Sequence, residues 1–137
     1  MSAFEWQVRV YYEDTDRVGV VYYANYLRFM ERARTEWLRA LGFEQDRLSE
    51  EQGVIFAVRS ARIDYLRTAH FNDLLAVSAG VIDHGRASLT FSQEVRRCGD
   101  DGGPVCSAEI RIACLDAQSL RPRAIPEFML KEIADVD

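Results

Sequence analysis

Tyr11-Tyr12-Glu13-Asp14-Thr15-Asp16-Arg17-Val18-Gly19-Val20-Val21-Tyr22-Tyr23-Ala24-Asn25-Tyr26 is the stretch that decides the fold, because the periodicity of the chain changes across it. Before it, Phe4, Trp6, Val8, Val10 and Tyr12 alternate with Glu5, Gln7, Arg9 and Tyr11. That period of two is the pattern of a half-buried strand. After it, Tyr26, Met30, Ala33, Trp37 and Ala40 recur at steps of four and three, and Leu27, Leu38 and Leu41 widen the stripe. The spacing predicts a long amphipathic helix over residues 24–41. Its solvent side is expected to carry Arg28, Glu31, Arg32, Arg34 and Arg39, with an Arg32–Glu36 pair, Asn25 as N-cap and Gly42 as the stop. One short loop thus delivers Glu13, Asp14 and Asp16 to the start of a helix. A helix start offers unpaired backbone N–H groups and a positive dipole end. A carboxylate beside such donors suits acyl chemistry: the acid attacks or takes a proton, and the donors hold an oxyanion.

Outward from this stretch, residues 44–52 are polar and compatible with a short helix or a loop. Alternation returns over 55–65, interrupted by Arg59, and again near 74–83, where Leu75, Val77, Ala79 and Val81 share a face. Gly85 marks a turn. A further strand sets Ala87, Leu89, Phe91 and Val95 against Ser88, Thr90, Ser92 and Glu94. Gly99-Asp100-Asp101-Gly102-Gly103-Pro104 is a turn cluster. Beyond it, Cys106, Ala108, Ile110, Ile112 and Cys114 form one face of a last strand. Pro126 opens a short terminal helix with Phe128, Met129 and Ile133 apolar. One helix cannot cover both faces of five strands, and alternating strands need cover on one face only. The expected class is α+β, in the order β-α-β-β-β-β, with an antiparallel sheet wrapped round the long helix.

With 137 residues, one domain over 1–137 is expected, long enough for a real core. A net charge of −5 argues against a general nucleic-acid binder. No apolar run approaches the ~18 residues that would suggest a transmembrane span, and the first residues lack the basic-then-apolar pattern of a secretory leader. Cys98, Cys106 and Cys114 have no paired spacing, which points to reduced thiols in a cytoplasmic protein, without a disulfide framework or a zinc site. Cys106 and Cys114, extended on one strand, lie more than ~20 Å apart. His70 and His84 are isolated and read as surface or structural residues. No P-loop, GxGxxG or GxSxG pattern is present, so neither a cofactor nor a metal is expected.

Asp14-Thr15-Asp16, Gly19-Val20-Val21-Tyr22-Tyr23 and Asn25-Tyr26 resemble the signature of the 4-hydroxybenzoyl-CoA thioesterase family. The longer run from Val8 to Asp16, continued by Glu31-Arg32-Ala33-Arg34-Thr35-Glu36, is similar to its YbgC-like branch, the Tol-Pal-associated acyl-CoA thioesterases. The resemblance implies a hotdog fold, hydrolysis of acyl-CoA to free acid and coenzyme A, and a dimer or tetramer. It also carries expectations of an acyl carrier protein or Tol-Pal association. It makes Asp16 the catalytic carboxylate, as nucleophile through a mixed anhydride or as general base toward water. The backbone N–H of Tyr23 becomes the oxyanion donor; many members of the branch carry a histidine here, so no imidazole role transfers. Gly19 suits a close backbone approach to the ligand. Gly85-Arg86-Ala87-Ser88 corresponds to the phosphate-contacting turn, making Arg86 and Ser88 candidates for the coenzyme A phosphates, with Arg121 and Arg123 behind them. Glu31 is similar to the base of another hotdog branch but reads better as a helix salt bridge.

Two other classes stay open at this level. A hotdog dehydratase normally uses a histidine beside the acid, which Tyr23 does not supply. A non-catalytic acyl-CoA or acyl-carrier-protein binding module would not need Asp16. Release of free thiol from a panel of acyl-CoAs separates the three.

Overall fold

The computed structural model describes residues 4–136, with side chains described as far as Ile133. The very start of the segment read for a leader therefore lies outside the described residues. The elements are β1 (Phe4–Arg9), α1 (Asn25–Ala40), two short helical turns (Gln45–Arg47 and Leu48–Gln52), β2 (Val54–Tyr65), β3 (Leu74–His84), β4 (Ser88–Arg97), β5 (Cys106–Asp116) and α2 (Glu127–Val136). The strands form one sheet in the order β1-β3-β4-β5-β2, every neighbour antiparallel.

The inner face of the sheet is the one the alternation selects. Leu75, Val77, Ala79 and Val81 of β3, Leu89, Phe91 and Val95 of β4, and Cys106, Ala108, Ile110, Ile112 and Cys114 of β5 are all buried. The helix meets them with Tyr26, Phe29, Met30, Ala33, Trp37 and Leu38. Trp37 stands edge-on to Phe91, with ring centroids 5.2 Å apart. Truncating a buried aromatic such as Phe91 to alanine costs about 3–5 kcal/mol, so this seam sets much of the stability. α1 lies over β3, β1 and β4. Toward β2 and β5 it leaves a cavity of about 280 Å³, lined by Glu31, Arg34, Leu38, Phe56, Val58 and Ile112 among others.

Three local expectations change. Tyr12 is not the last residue of β1. The carboxylate of Asp14 accepts the Tyr11 N–H at 2.8 Å, which folds residues 12–14 into a 3-10 turn and leaves Tyr12 exposed, stacked on Phe71 at 3.9 Å. Arg32 does not pair with Glu36; Glu36 bonds Arg39 one turn on, and Arg39 also holds Glu44 at 2.9 Å. Arg34 is not on the solvent side: only 7% of it is exposed, and its guanidinium donates to Gln93 Oε1 at 3.0 Å. Arg59, which broke the alternation in β2, sits where the pairing with β5 slips between Val58 and Ser60, the signature of a bulge.

Candidate active site

The loop between β1 and α1 is zipped onto itself. Asp16 N–H donates to the Val20 carbonyl at 2.9 Å, Gly19 N–H to the Asp16 carbonyl at 3.1 Å, and Tyr22 N–H to the Asp14 carbonyl at 2.8 Å. Gly19 turns the loop at φ +91°, in the left-handed region where an L side chain is strained. The loop's return limb is also paired on its far side. Val20 bridges His70, and Val21 N–H donates to the Ala69 carbonyl at 2.8 Å. That connection is itself fastened. Arg97 donates to the Thr68 carbonyl at 3.0 Å, while Arg67 and Arg97 both hold Asp100. The Gly102 N–H and the two guanidinium groups lower the Asp100 carboxyl to about 2.

The acids of the loop separate. Asp14 is buried, and its two oxygens accept the Tyr11 N–H and Asn25 Nδ2, each at 2.8 Å. Asn25 is the first residue of α1, so it ties the helix start to Asp14 and does not act as its N-cap. Asp16 points outward. Its Oδ1 accepts the Val18 N–H at 2.8 Å, and among the described residues neither an ion pair nor a partner for Oδ2 is formed.

The helix start is left open. Ala24 precedes α1 with no side-chain cap, and no acid occupies the first turn. Asn25 N–H and Leu27 N–H turn back to the Tyr22 and Ala24 carbonyls, but among the described residues the N–H of Tyr23 donates to no acceptor. The Tyr65 hydroxyl donates to the Tyr23 carbonyl at 3.2 Å and the two rings meet edge-on, which steadies the strand of chain leading into the helix. A carboxylate with a free oxygen, and a backbone donor with nothing to bond, are thus presented by one tightly paired segment.

Asp16, Gly19 and Tyr23 therefore lie on one unit. Arg86 and Ser88 do not join them within the chain. They sit at the β3–β4 turn, where Gly85 N–H bonds the Ser88 carbonyl at 2.9 Å, at the far end of β3 from the loop. The eleven residues of β3 span on the order of 35 Å. Arg123 is engaged with the Gly53 carbonyl and Asp116, and Arg121 is exposed. Glu31 forms no ion pair among the described residues and borders the cavity with Arg34. His70 and His84 are exposed. Burial raises the Cys106 thiol to about 12, which removes it as a nucleophile at neutral pH. Among the described residues no group of side chains is placed to hold a metal ion, and no helix is long and apolar enough to cross a membrane. The sequence reading missed the Asp14–Asn25 link, Tyr65 and the Arg34–Gln93 pair. Only the last left a signal: Gln93 is a polar residue on the inward face of β4.

An antiparallel sheet folded round one helix, with an acid-bearing loop sealed against that helix's open end, defines a hotdog thioesterase. The chain belongs to the thioesterase-like superfamily, whose model matches residues 10–133. It is 44% identical over 126 residues to the acyl-CoA thioesterase YbgC of Haemophilus influenzae, covering 92% of this chain and 90% of that one. It is 40% identical over 131 residues to the acyl-CoA thioester hydrolase YbgC of Escherichia coli O6:H1, covering 96% of each. A crystal structure of a probable thioesterase from Bartonella henselae superposes with a TM-score of 0.84 at 32% identity, covering 91% of this chain and 100% of that one.

Proposed function

We propose that this chain hydrolyses acyl-CoA thioesters to the free acid and coenzyme A, with Asp16 as the reacting carboxylate and the Tyr23 N–H as the oxyanion donor. The observation that carries this is that an Asp16 oxygen and the Tyr23 N–H at the start of α1, both without a partner among the described residues, belong to one braced segment. In the base route, Asp16 takes a proton from water, the hydroxide adds to the carbonyl carbon, and the C–S bond breaks. The thiolate of coenzyme A leaves and is then protonated. In the nucleophile route, Asp16 displaces the thiolate to form a mixed anhydride, which water cleaves. Charge collects on the carbonyl oxygen in both, and one backbone donor there is worth about 3–4 kcal/mol.

The working unit is a homo-oligomer, built from at least a dimer. β2 is an edge strand of twelve residues, largely exposed, with one side of its backbone unpaired. Such an edge recruits another strand. Antiparallel pairing of two β2 edges brings the Val54 end of one copy beside the Tyr65 end of the other. Ser88 pairs with Ala113, which pairs with Ala57, so the β3–β4 turn lies at the Val54 end. A second copy would therefore carry its Arg86 and Ser88 toward this chain's Asp16, supplying a cation and a hydroxyl donor for the coenzyme A phosphates. A single hotdog domain in the cytoplasm, with Tol-Pal or acyl-carrier-protein contact, completes the reading and rests on the resemblance in the loop motif.

The test is free-thiol release from a panel of acyl-CoAs, with wild type and Asp16→Asn side by side. Release by wild type that collapses in Asp16→Asn supports the assignment. Measurable binding without thiol release from any substrate would instead make the chain an acyl-CoA binding module.

A further inference from the structure

The cavity between α1 and β2 holds a charge that forms no ion pair among the described residues. Arg34 is 7% exposed, yet its one hydrogen-bond partner among the described residues is the neutral Gln93, at 3.0 Å. Gln93 spends its own amide donors on the Met30 and Ser78 carbonyls, at 3.0 and 3.1 Å. Glu31 borders the same cavity without reaching ion-pair distance; burial lowers the Arg34 pKa, and the nearby Glu31 charge offsets part of that. A buried guanidinium with most of its donors turned to a cavity is costly unless something anionic meets it.

The position of that cavity along the helix is informative. Leu27, Arg34 and Leu38 follow at steps of seven and four, so they fall on one stripe of α1, and Tyr23 lies just before the helix begins. β2 runs alongside in the opposite sense, with Tyr65 at the Tyr23 end and Phe56 and Val58 at the Arg34 end. Between the ends lies Leu27, apolar and exposed in the single chain, and Val58 at the cavity is exposed as well. From the start of the helix toward the cavity the order is therefore donor, apolar Leu27, buried cation. Arg34 lies nine positions beyond Asn25, the first residue of α1, or about 14 Å of helix. Helical side chains lean toward the N-terminus, so the guanidinium reaches back along that distance.

We infer that this cavity receives the distal end of the acyl group and that Arg34 selects acyl-CoA substrates carrying a carboxylate there. The inference rests on the acyl-CoA reading above and names its substrate class: medium-length dicarboxylic acids esterified at one end to coenzyme A. The planar fork of the guanidinium donates two parallel hydrogen bonds to a carboxylate. A site built to pair with a polar group rejects the analogue that lacks it, because its own donor is then stranded. Among the described residues Glu31 is the one acid on the cavity wall, and its charge opposes the incoming carboxylate.

The experiment compares kcat/KM for adipoyl-CoA against hexanoyl-CoA and for suberoyl-CoA against octanoyl-CoA. Wild type is expected to favour the dicarboxylic member of at least one pair by about tenfold or more. Arg34→Gln should bring that ratio close to one, and Glu31→Gln should raise it several-fold. A wild-type ratio at or below one in both pairs would overturn the inference. So would an unchanged ratio in a folded Arg34→Gln. Loss of the dimer in that variant, without any wild-type preference, would assign Arg34 to the contact between subunits. If Arg34→Gln does not fold, the wild-type ratios and the Glu31→Gln shift decide the matter. Asp16→Asn is run on all four substrates: turnover that survives it refutes the catalytic assignment and leaves the selectivity result standing.

Discussion

The two ends of α1 are finished in opposite ways. At the C-terminal end, Gly42 takes φ +97°, its N–H bonds the Arg39 carbonyl at 2.9 Å, and Phe43 N–H bonds the Leu38 carbonyl at 2.9 Å. That is a Schellman closure, which satisfies carbonyls the helix cannot pair internally. Phe43 is buried against the core as the chain leaves. At the N-terminal end there is no capping side chain, no acid, and a Tyr23 N–H without an acceptor among the described residues. One end is completed for stability; the other is left able to bond a ligand. An N-cap side chain is worth about 1 kcal/mol, so leaving it out is a small but real sacrifice of stability.

The largest effect belongs to the open end. Asp16→Asn keeps the size and the Val18 bond of the side chain but removes its basicity. Turnover on acyl-CoA should fall by about 10²–10⁴, with an unfolding midpoint close to wild type. A variant with near-normal kcat breaks the comparison at its root, since the open end would then face no reacting group.

Next comes the clamp that holds the open end in place. Asp14→Ala strands the part-buried Tyr11 N–H and the buried Asn25 amide, and Asn25→Ala strands one Asp14 oxygen. An unsatisfied buried group costs about 1–3 kcal/mol, so both variants should unfold at lower denaturant, Asp14→Ala more so. Both should also lose kcat more than they raise KM, because the loop and the helix start are no longer fixed to each other. A stability loss with kcat intact would make the clamp a matter of folding alone.

Much of the framework was legible in the sequence because burial on one face imposes a period. The inward residues of β3 and β5 follow from alternation alone, and the helix from its three-and-four spacing. Gly42 was readable as a stop because few residues besides glycine hold a positive φ cheaply. Arg34 was not readable: helical spacing places it near the apolar stripe, but its charge argues for solvent, and only the tertiary partner Gln93 reverses that. Tyr12 continued the alternation and was pulled out of the strand by a carboxylate two residues ahead. Asp16 was readable as a loop acid near a helix start, yet its rank above Glu13 and Asp14 came from the family motif. What separates the three acids is direction. Asp14 turns in toward Asn25 and Asp16 turns out, and no periodicity records that for a loop.

The last two predictions set the ends directly against each other. Ala24→Asp places a negative charge at the positive end of the dipole, where it should stabilise the fold by about 0.3–1 kcal/mol. The same charge lies beside the donor meant for a developing oxyanion, so kcat should fall, by roughly tenfold if about 1.4 kcal/mol of transition-state stabilisation is lost. Stability and turnover thus move in opposite directions at this end. Gly42→Ala makes the reverse case. A Cβ there would meet nothing within 4 Å, so the cost is conformational only, about 1–2 kcal/mol for an L residue held at a left-handed φ. Unfolding midpoints should drop while kcat and KM stay at wild-type values, because the closed end faces no substrate. If Gly42→Ala slowed turnover as much as Ala24→Asp did, the helix would be answering as one rigid body, and the division of labour between its ends would be wrong.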